Sequence, residues 1–356
     1  MTIYKRVVFA IAFLPAAFEL AIRLDDWMRY GVPLTSNIVG IEGLQIVDSL
    51  GSHARPNAVF RQFRINSLGF RGPEVAISAS SGKTLIVVSG SSETFGLYES
   101  AGKEWPRQLE DSVNTHCAAR KVVVLNAGFA GMSMPTVSQD LRLRILPMRP
   151  AVVVYHPQPA QYLDRLAPAT SPPSANHDES AEHFALRSRA RIRDEIKRAM
   201  PSELLDFLRR TDTERSRRTD YRLFDSLPVD RLDILESQLR QLVGTVRRGG
   251  TSLVLVLPEH RFDDTTSVEE RRWLRAWERH VPKATASLFM RFAAEANERI
   301  LRVARESTVV VVDPPFVHGR DRARMFADPV HYTDAGASVV ASVTARALAQ
   351  HLVCGT

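Results

Sequence analysis

A chain of 356 residues with 44% hydrophobic and 24% charged content is long and apolar enough to bury a sizeable core, which excludes a disordered or fibrous protein. Its net charge of +7 permits anionic partners, but no zinc-finger spacing or aromatic-basic ribonucleoprotein signature accompanies it, so nucleic acid is not expected. Two cysteines, Cys117 and Cys354, form no metal motif, and no His/Asp/Glu cluster has metal-ligand spacing; neither a metal nor another cofactor is expected.

At the N-terminus, Lys5 and Arg6 precede an apolar run from Val7 to Leu24. As a helix that run reaches roughly 27 Å, close to one hydrocarbon core. Basic residues ahead of an apolar segment favour a cytoplasmic N-terminus with the bulk of the chain exported. No small-x-small cleavage site follows. Residues 1–30 are therefore expected to be a signal anchor in the inner (cytoplasmic) membrane, single-pass, with the main domain periplasmic or otherwise extracytoplasmic. Glu19 and Arg23 weaken the far end of the run, and an amphipathic or buried helix is the other reading.

Residues 31–82 read as an irregular lead-in, rich in turn residues, with Ser78–Gly82 marking its end. From 83 to 356 the pattern changes. Leu85–Val88, Val122–Leu125, Val152–Tyr155, Ser252–Leu257 and Val309–Val312 are short β-branched runs, each predicting a buried strand of a parallel sheet. Between them, Arg231–Arg248 sets Leu232, Leu235, Leu239, Leu242 and Val246 at helical spacing, and Leu288–Val303 does the same with Phe289, Phe292, Ala296 and Ile300. This alternation predicts a three-layer α/β fold. An Arg-rich stretch at about 166–230 reads as a partly helical insertion between strands, most simply a solvated charged face.

Three places carry chemistry. Ser92 follows the first core strand at a turn into a helix, where open α/β sheets expose their sites; its N–H, near a helix N-terminus, can help bind an oxyanion. The bland reading of a serine there is a helix cap, a part that Ser91 can also take. After the second strand, Asn126-Ala-Gly-Phe-Ala-Gly131 lets the backbone turn tightly and offers the Gly131 N–H as a second oxyanion donor. Near the C-terminus, Asp328 and His331 stand three apart, spaced so that the carboxylate can hold one imidazole nitrogen while the other serves a serine. Asp328 as a helix cap is the rival, although Thr333 and Asp334 are better placed for it. His156, His260 and His318 are scattered.

These residues resemble the GDSL/SGNH hydrolase superfamily over most of residues 57–350. Gly90-Ser91-Ser92-Glu93-Thr94-Phe95-Gly96 is similar to its first block, Asn126–Gly131 to its second, and Asp328-Pro-Val-His331 to its last. The lead-in Ile-Asn-Ser-Leu-Gly-Phe-Arg-Gly-Pro-Glu (65–74) and Trp105-Pro106 resemble a bacterial membrane-anchored branch linked to surface-polysaccharide acylation. The resemblance implies a flavodoxin-like sandwich on a parallel sheet of about five strands. It also implies a catalytic triad of Ser92, His331 and Asp328, and an oxyanion hole from Ser92 and Gly131. The substrate would be an ester, with O-acetyl groups of a carbohydrate foremost and a lipid or thioester the weaker option. One block departs from the pattern. After the third strand the family places an Asn donor, whereas Tyr155-His-Pro-Gln-Pro-Ala-Gln161 puts Pro159 there, and proline donates nothing. Gln158 and Gln161 are the possible substitute donors, given a shifted loop. A weakened or inactive relative, serving in glycan binding or polysaccharide assembly, is the alternative function. In a flavodoxin-like strand order, the helices ending near Cys117 and Cys354 share a face, so a disulfide between them, which needs Cα atoms within about 7 Å, is a further expectation.

Overall fold

The computed structural model describes residues 17, 20–36, 38, 40–75, 82–116, 121–164, 224–262, 281, 284–316 and 320–350. Residues 20–30 are helical, with Leu20, Leu24, Trp27 and Met28 exposed. Among the described residues no helix is long and apolar enough to cross a membrane, and most of the Val7–Leu24 run lies outside them. The lead-in holds more order than its turn residues suggest. Strand β1 (Gln45–Asp48) pairs antiparallel with β2 (Gly51–Ala54), and β3 (Val59–Phe60) with β4 (Phe63–Arg64). Strands of two to four residues are too short for alternation to announce them in a sequence.

The five β-branched runs become β5 (Thr84–Gly90), β6 (Val122–Asn126), β7 (Val152–His156), β8 (Ser252–Val256) and β9 (Val310–Val312). They form one parallel sheet in the spatial order β6-β5-β7-β8-β9, the flavodoxin-like order once counted from its first strand. Helices α1 (Ser92–Phe95), α2 (Trp105–His116), α3 (Met134–Asp140), α4 (Gln161–Asp164), α5 (Val229–Arg248), α6 (Ala286–Ser307), α7 (Arg320–Arg324) and α8 (Asp334–Leu348) lie between and after the strands.

Side chains alternate across a strand, so each strand feeds two cores. Ile86 and Val88 of β5 join Val122, Val152, Val154, Val254 and Val256 on one face, under Trp105, Leu109 and Val113 of α2 and Val340, Ala341 and Leu348 of α8. Val87 points the other way, with Val153 and Leu255, into a layer closed by α3, α5 and α6. The predicted leucine stripe of α5 is fully buried there, each side chain contributing about 1.5–3 kcal/mol. As expected, α2 and α8 pack together on one face; Cys117 and Cys354, beyond their ends, lie outside the described residues, as does the expected insertion at about 166–230 as far as residue 223.

Candidate active site

The turn from β5 into α1 lies at the C-terminal edge of the sheet and presents two adjacent buried serines. Ser91 stands at the cap position, yet its hydroxyl makes no capping bond. Instead its Oγ accepts the Gly131 N–H at 3.2 Å and the Gln161 Nε2–H at 3.1 Å. The Ser92 hydroxyl donates to Glu93 Oε2 at 3.1 Å.

The Gly131 amide reaches this point because the segment after β6 is pulled against α1. Asn126 Nδ2 donates to the Thr94 carbonyl (2.9 Å), and Asn126 Oδ1 accepts the Gly128 N–H (3.0 Å). A Cβ on Gly128 would stand 2.7 Å from the Thr94 side chain, so only glycine allows the approach. Gly131 sits in a left-handed turn with φ +81°, and its N–H is bonded to Ser91.

After β7, the Pro159 carbonyl accepts the Tyr162 N–H at 2.9 Å in the turn leading into α4. Gln161, at the start of α4, offers an amide nearby: Nε2 lies within 3.1 Å of both Ser91 Oγ and the Met132 carbonyl and 2.6 Å from Gln158 Oε1. Gln158 Nε2 donates to Glu93 Oε1. Two N–H donors from separate elements, Gly131 and Gln161, thus converge on one oxygen. That is the arrangement an oxyanion requires, with a hydroxyl now seated in it.

Asp328 and His331 form a self-contained unit between α7 and α8. The Ala327 N–H bonds the His331 carbonyl at 2.8 Å and closes the loop. Asp328 Oδ1 accepts the N–H groups of Val330 (3.0 Å) and His331 (2.8 Å), while Oδ2 accepts from His331 Nδ1 at 2.7 Å. Thr333, not Asp328, caps α8, accepting the Gly336 N–H at 3.3 Å. Burial by itself pushes the Asp328 carboxyl up, but the bonds from the His331 ring and the two backbone amides bring it below the usual range. Burial pulls His331 down; Asp328, Glu93 and Glu99 together outweigh this and hold it above an ordinary histidine. His331 Nε2 is buried without a hydrogen-bond partner among the described residues. No hydrogen bond joins it to Ser92, whose hydroxyl is turned to Glu93.

Several further groups surround these residues. Glu93 is 3% exposed, and burial raises its carboxyl while the His331 charge offsets part of the rise. Burial likewise pushes Glu99 up to about 7. The Tyr98 ring lies 5.3 Å from the His331 ring. At the end of β7, His156 Nε2 lies 3.1 Å from the Tyr332 hydroxyl; burial lowers His156 to about 4, leaving it neutral. Arg71 of the lead-in is buried between the rings of Phe63 and Phe95, 4.9 and 4.8 Å from their centres. Its guanidinium donates to the carbonyls of Phe95 and Gly96, pairs with Glu104 at 3.6 Å, and so clamps the end of α1. In the sequence Glu93 stands only as part of the block 90–96 and Arg71 as part of the lead-in 65–74; their burial is set by the fold. Of the scattered histidines, His260 packs its ring on Phe289, and His318 lies outside the described residues.

No protein-family model and no curated protein matches the chain. Among solved structures it is similar to a lipase/acylhydrolase from Enterococcus faecalis, at 15% identity and TM-score 0.44 over 77% of this chain and 99% of that one. It is also similar to a GDSL-like lipase from Bacteroides thetaiotaomicron (11% identity, TM-score 0.42, 78% and 93% covered). A third is an acetylxylan esterase from Geobacillus stearothermophilus (12% identity, TM-score 0.42, 75% and 95% covered). At such identity and overlap these likenesses carry no argument about chemistry, which rests on the residues themselves.

Proposed function

We propose that the chain is a serine ester hydrolase or acyltransferase of the SGNH type, acting on O-acyl groups, with the O-acetyl groups of a carbohydrate as the foremost substrate class. The observation that carries this reading is the Asp328–His331 pair, whose unpartnered Nε2 shares its surroundings with the Ser92 turn through Glu93. In the reading, Ser92 swings from Glu93 to His331 Nε2, gives up its proton there, and attacks the acyl carbon. Apo contacts of this kind are often open and close only with substrate. The Ser92 N–H, the Gly131 N–H and the Gln161 amide receive the developing oxyanion, Gln161 standing in for the donor that Pro159 lacks, and the Ser91 hydroxyl yields its place to the incoming oxygen. His331 then returns the proton to the leaving alkoxide. Water or an acceptor hydroxyl repeats the cycle to release the acyl group, which makes the product a free acid or a transferred ester.

The second reading, an inactive relative kept for glycan binding, is favoured by one observation: the Ser92 hydroxyl is bonded to Glu93 and not to His331. A fluorophosphonate probe separates the two without knowledge of the substrate. Labelling of the wild-type chain is expected, lost in Ser92→Ala and kept in Ser91→Ala. A folded chain that never labels supports the binding reading. Labelling that survives Ser92→Ala would move the nucleophile elsewhere.

A further inference from the structure

Glu93 is a carboxylic acid buried in the first turn of α1. It is 3% exposed, its oxygens take the Ser92 hydroxyl and the Gln158 amide, and among the described residues no ion pair joins it to a Lys or Arg. The titratable groups whose fields reach it are His331 and Asp328 from the loop ahead of α8, Tyr155 from β7, and Tyr332 beside His331. Of these, only His331 can become a cation. His331 in turn meets Asp328 on Nδ1, the fields of Glu93 and Glu99, and the ring of Tyr98, with Nε2 left open. Arg71, a buried arginine beside α1, is engaged by the carbonyls of Phe95 and Gly96 and by Glu104.

We propose that Glu93 is a positioning residue for Ser92 and the counter-charge of the His331 imidazolium, a role that rests on the esterase reading above. At rest its Oε2 accepts the Ser92 hydroxyl at 3.1 Å. During attack, the Oγ–H bond breaks and its proton goes to His331 Nε2. The Oγ–acyl bond forms, and the carbonyl electron pair moves onto oxygen. Glu93 keeps its own charge and stabilises the imidazolium in addition to Asp328. Removing that charge has two opposed consequences. The transition state loses stabilisation, which lowers kcat. The free imidazole also becomes harder to protonate, so it stays a competent base to lower pH. A merely structural acid would produce the first effect without the second.

The test uses the full chain, p-nitrophenyl acetate as substrate, and histidine-ring NMR with the His331 signal identified from His331→Gln. In Glu93→Gln the His331 midpoint is expected to fall by about one pH unit. The acid limb of kcat/KM should move by the same amount, and plateau kcat should fall about tenfold with KM unchanged. Glu93→Asp, which restores the charge, should recover the midpoint. An unmoved His331 midpoint in a folded Glu93→Gln chain overturns the proposal. Where that variant does not fold, carboxyl NMR of the wild type decides. A Glu93 titration that tracks His331 in a shared two-step curve supports the coupling; independent ionisation in the ordinary carboxylate range overturns it. A shifted midpoint in a chain that fluorophosphonate never labels would sink the esterase reading and leave the Glu93–His331 coupling supported.

Discussion

The loop holding Asp328 and His331 and the turn holding Ser91 and Ser92 face the same site but are built in opposite ways. Every hydrogen bond that orients the imidazole comes from within four residues of chain: Asp328 takes the two backbone amides and the ring nitrogen of its own loop. The serine turn is organised from a distance. Gly131 arrives from the segment after β6, Gln158 and Gln161 from the segment after β7, and Arg71 from the lead-in. A local unit carries its geometry with it wherever the chain places it. An assembled one depends on several separate elements docking together, and each is a point at which it can be broken.

The largest break should come from the local unit. Asp328→Asn keeps the size of the side chain but offers His331 Nδ1 the wrong partner or the wrong tautomer. A fall in kcat on the order of 10⁴ is expected with p-nitrophenyl acetate, KM changing little. A loss below tenfold would mean that His331 is not the working base. Next comes the clamp on the assembled unit. Arg71→Met strands Glu104 in a buried setting and leaves the Phe95 and Gly96 carbonyls without their donor. Denaturant unfolding should then show a loss of about 3–5 kcal/mol. An unchanged midpoint would detach the lead-in from the framework of the site. The smallest effect, and the sharpest, belongs to Gln161→Leu. Removing that donor should lower kcat by about 10²–10³-fold with stability nearly intact. A change below threefold would return Gln161 to a structural part and leave Pro159 as a true gap in the oxyanion hole.

Residues 20–36 and 40–75 show where sequence patterning stops being informative. The main strands were legible because each is an apolar β-branched run of four to six residues bounded by turns, and the helices because their leucines and phenylalanines recur at the period of one face. Strands β1 to β4 were not, since pairs of two to four residues have no period to read, and their order comes from pairing rather than from propensity. Arg71 was invisible for a related reason. Nothing local distinguishes a surface arginine from one that later chain elements will bury between two phenylalanine rings.

Composition and pattern alone set the α/β class, the five core strands, the two stripe-bearing helices and the Asp328–His331 pair, because each of these is decided by residues within one element. Tertiary structure decided the rest of the site. It made Ser91 an acceptor for Gly131 and Gln161 instead of a cap, turned Ser92 to Glu93, and brought the Gln161 amide to the Ser91 hydroxyl. Hydrogen-bond partners tens of residues apart are chosen by the docking of whole strands and helices, and no local sequence window contains that information.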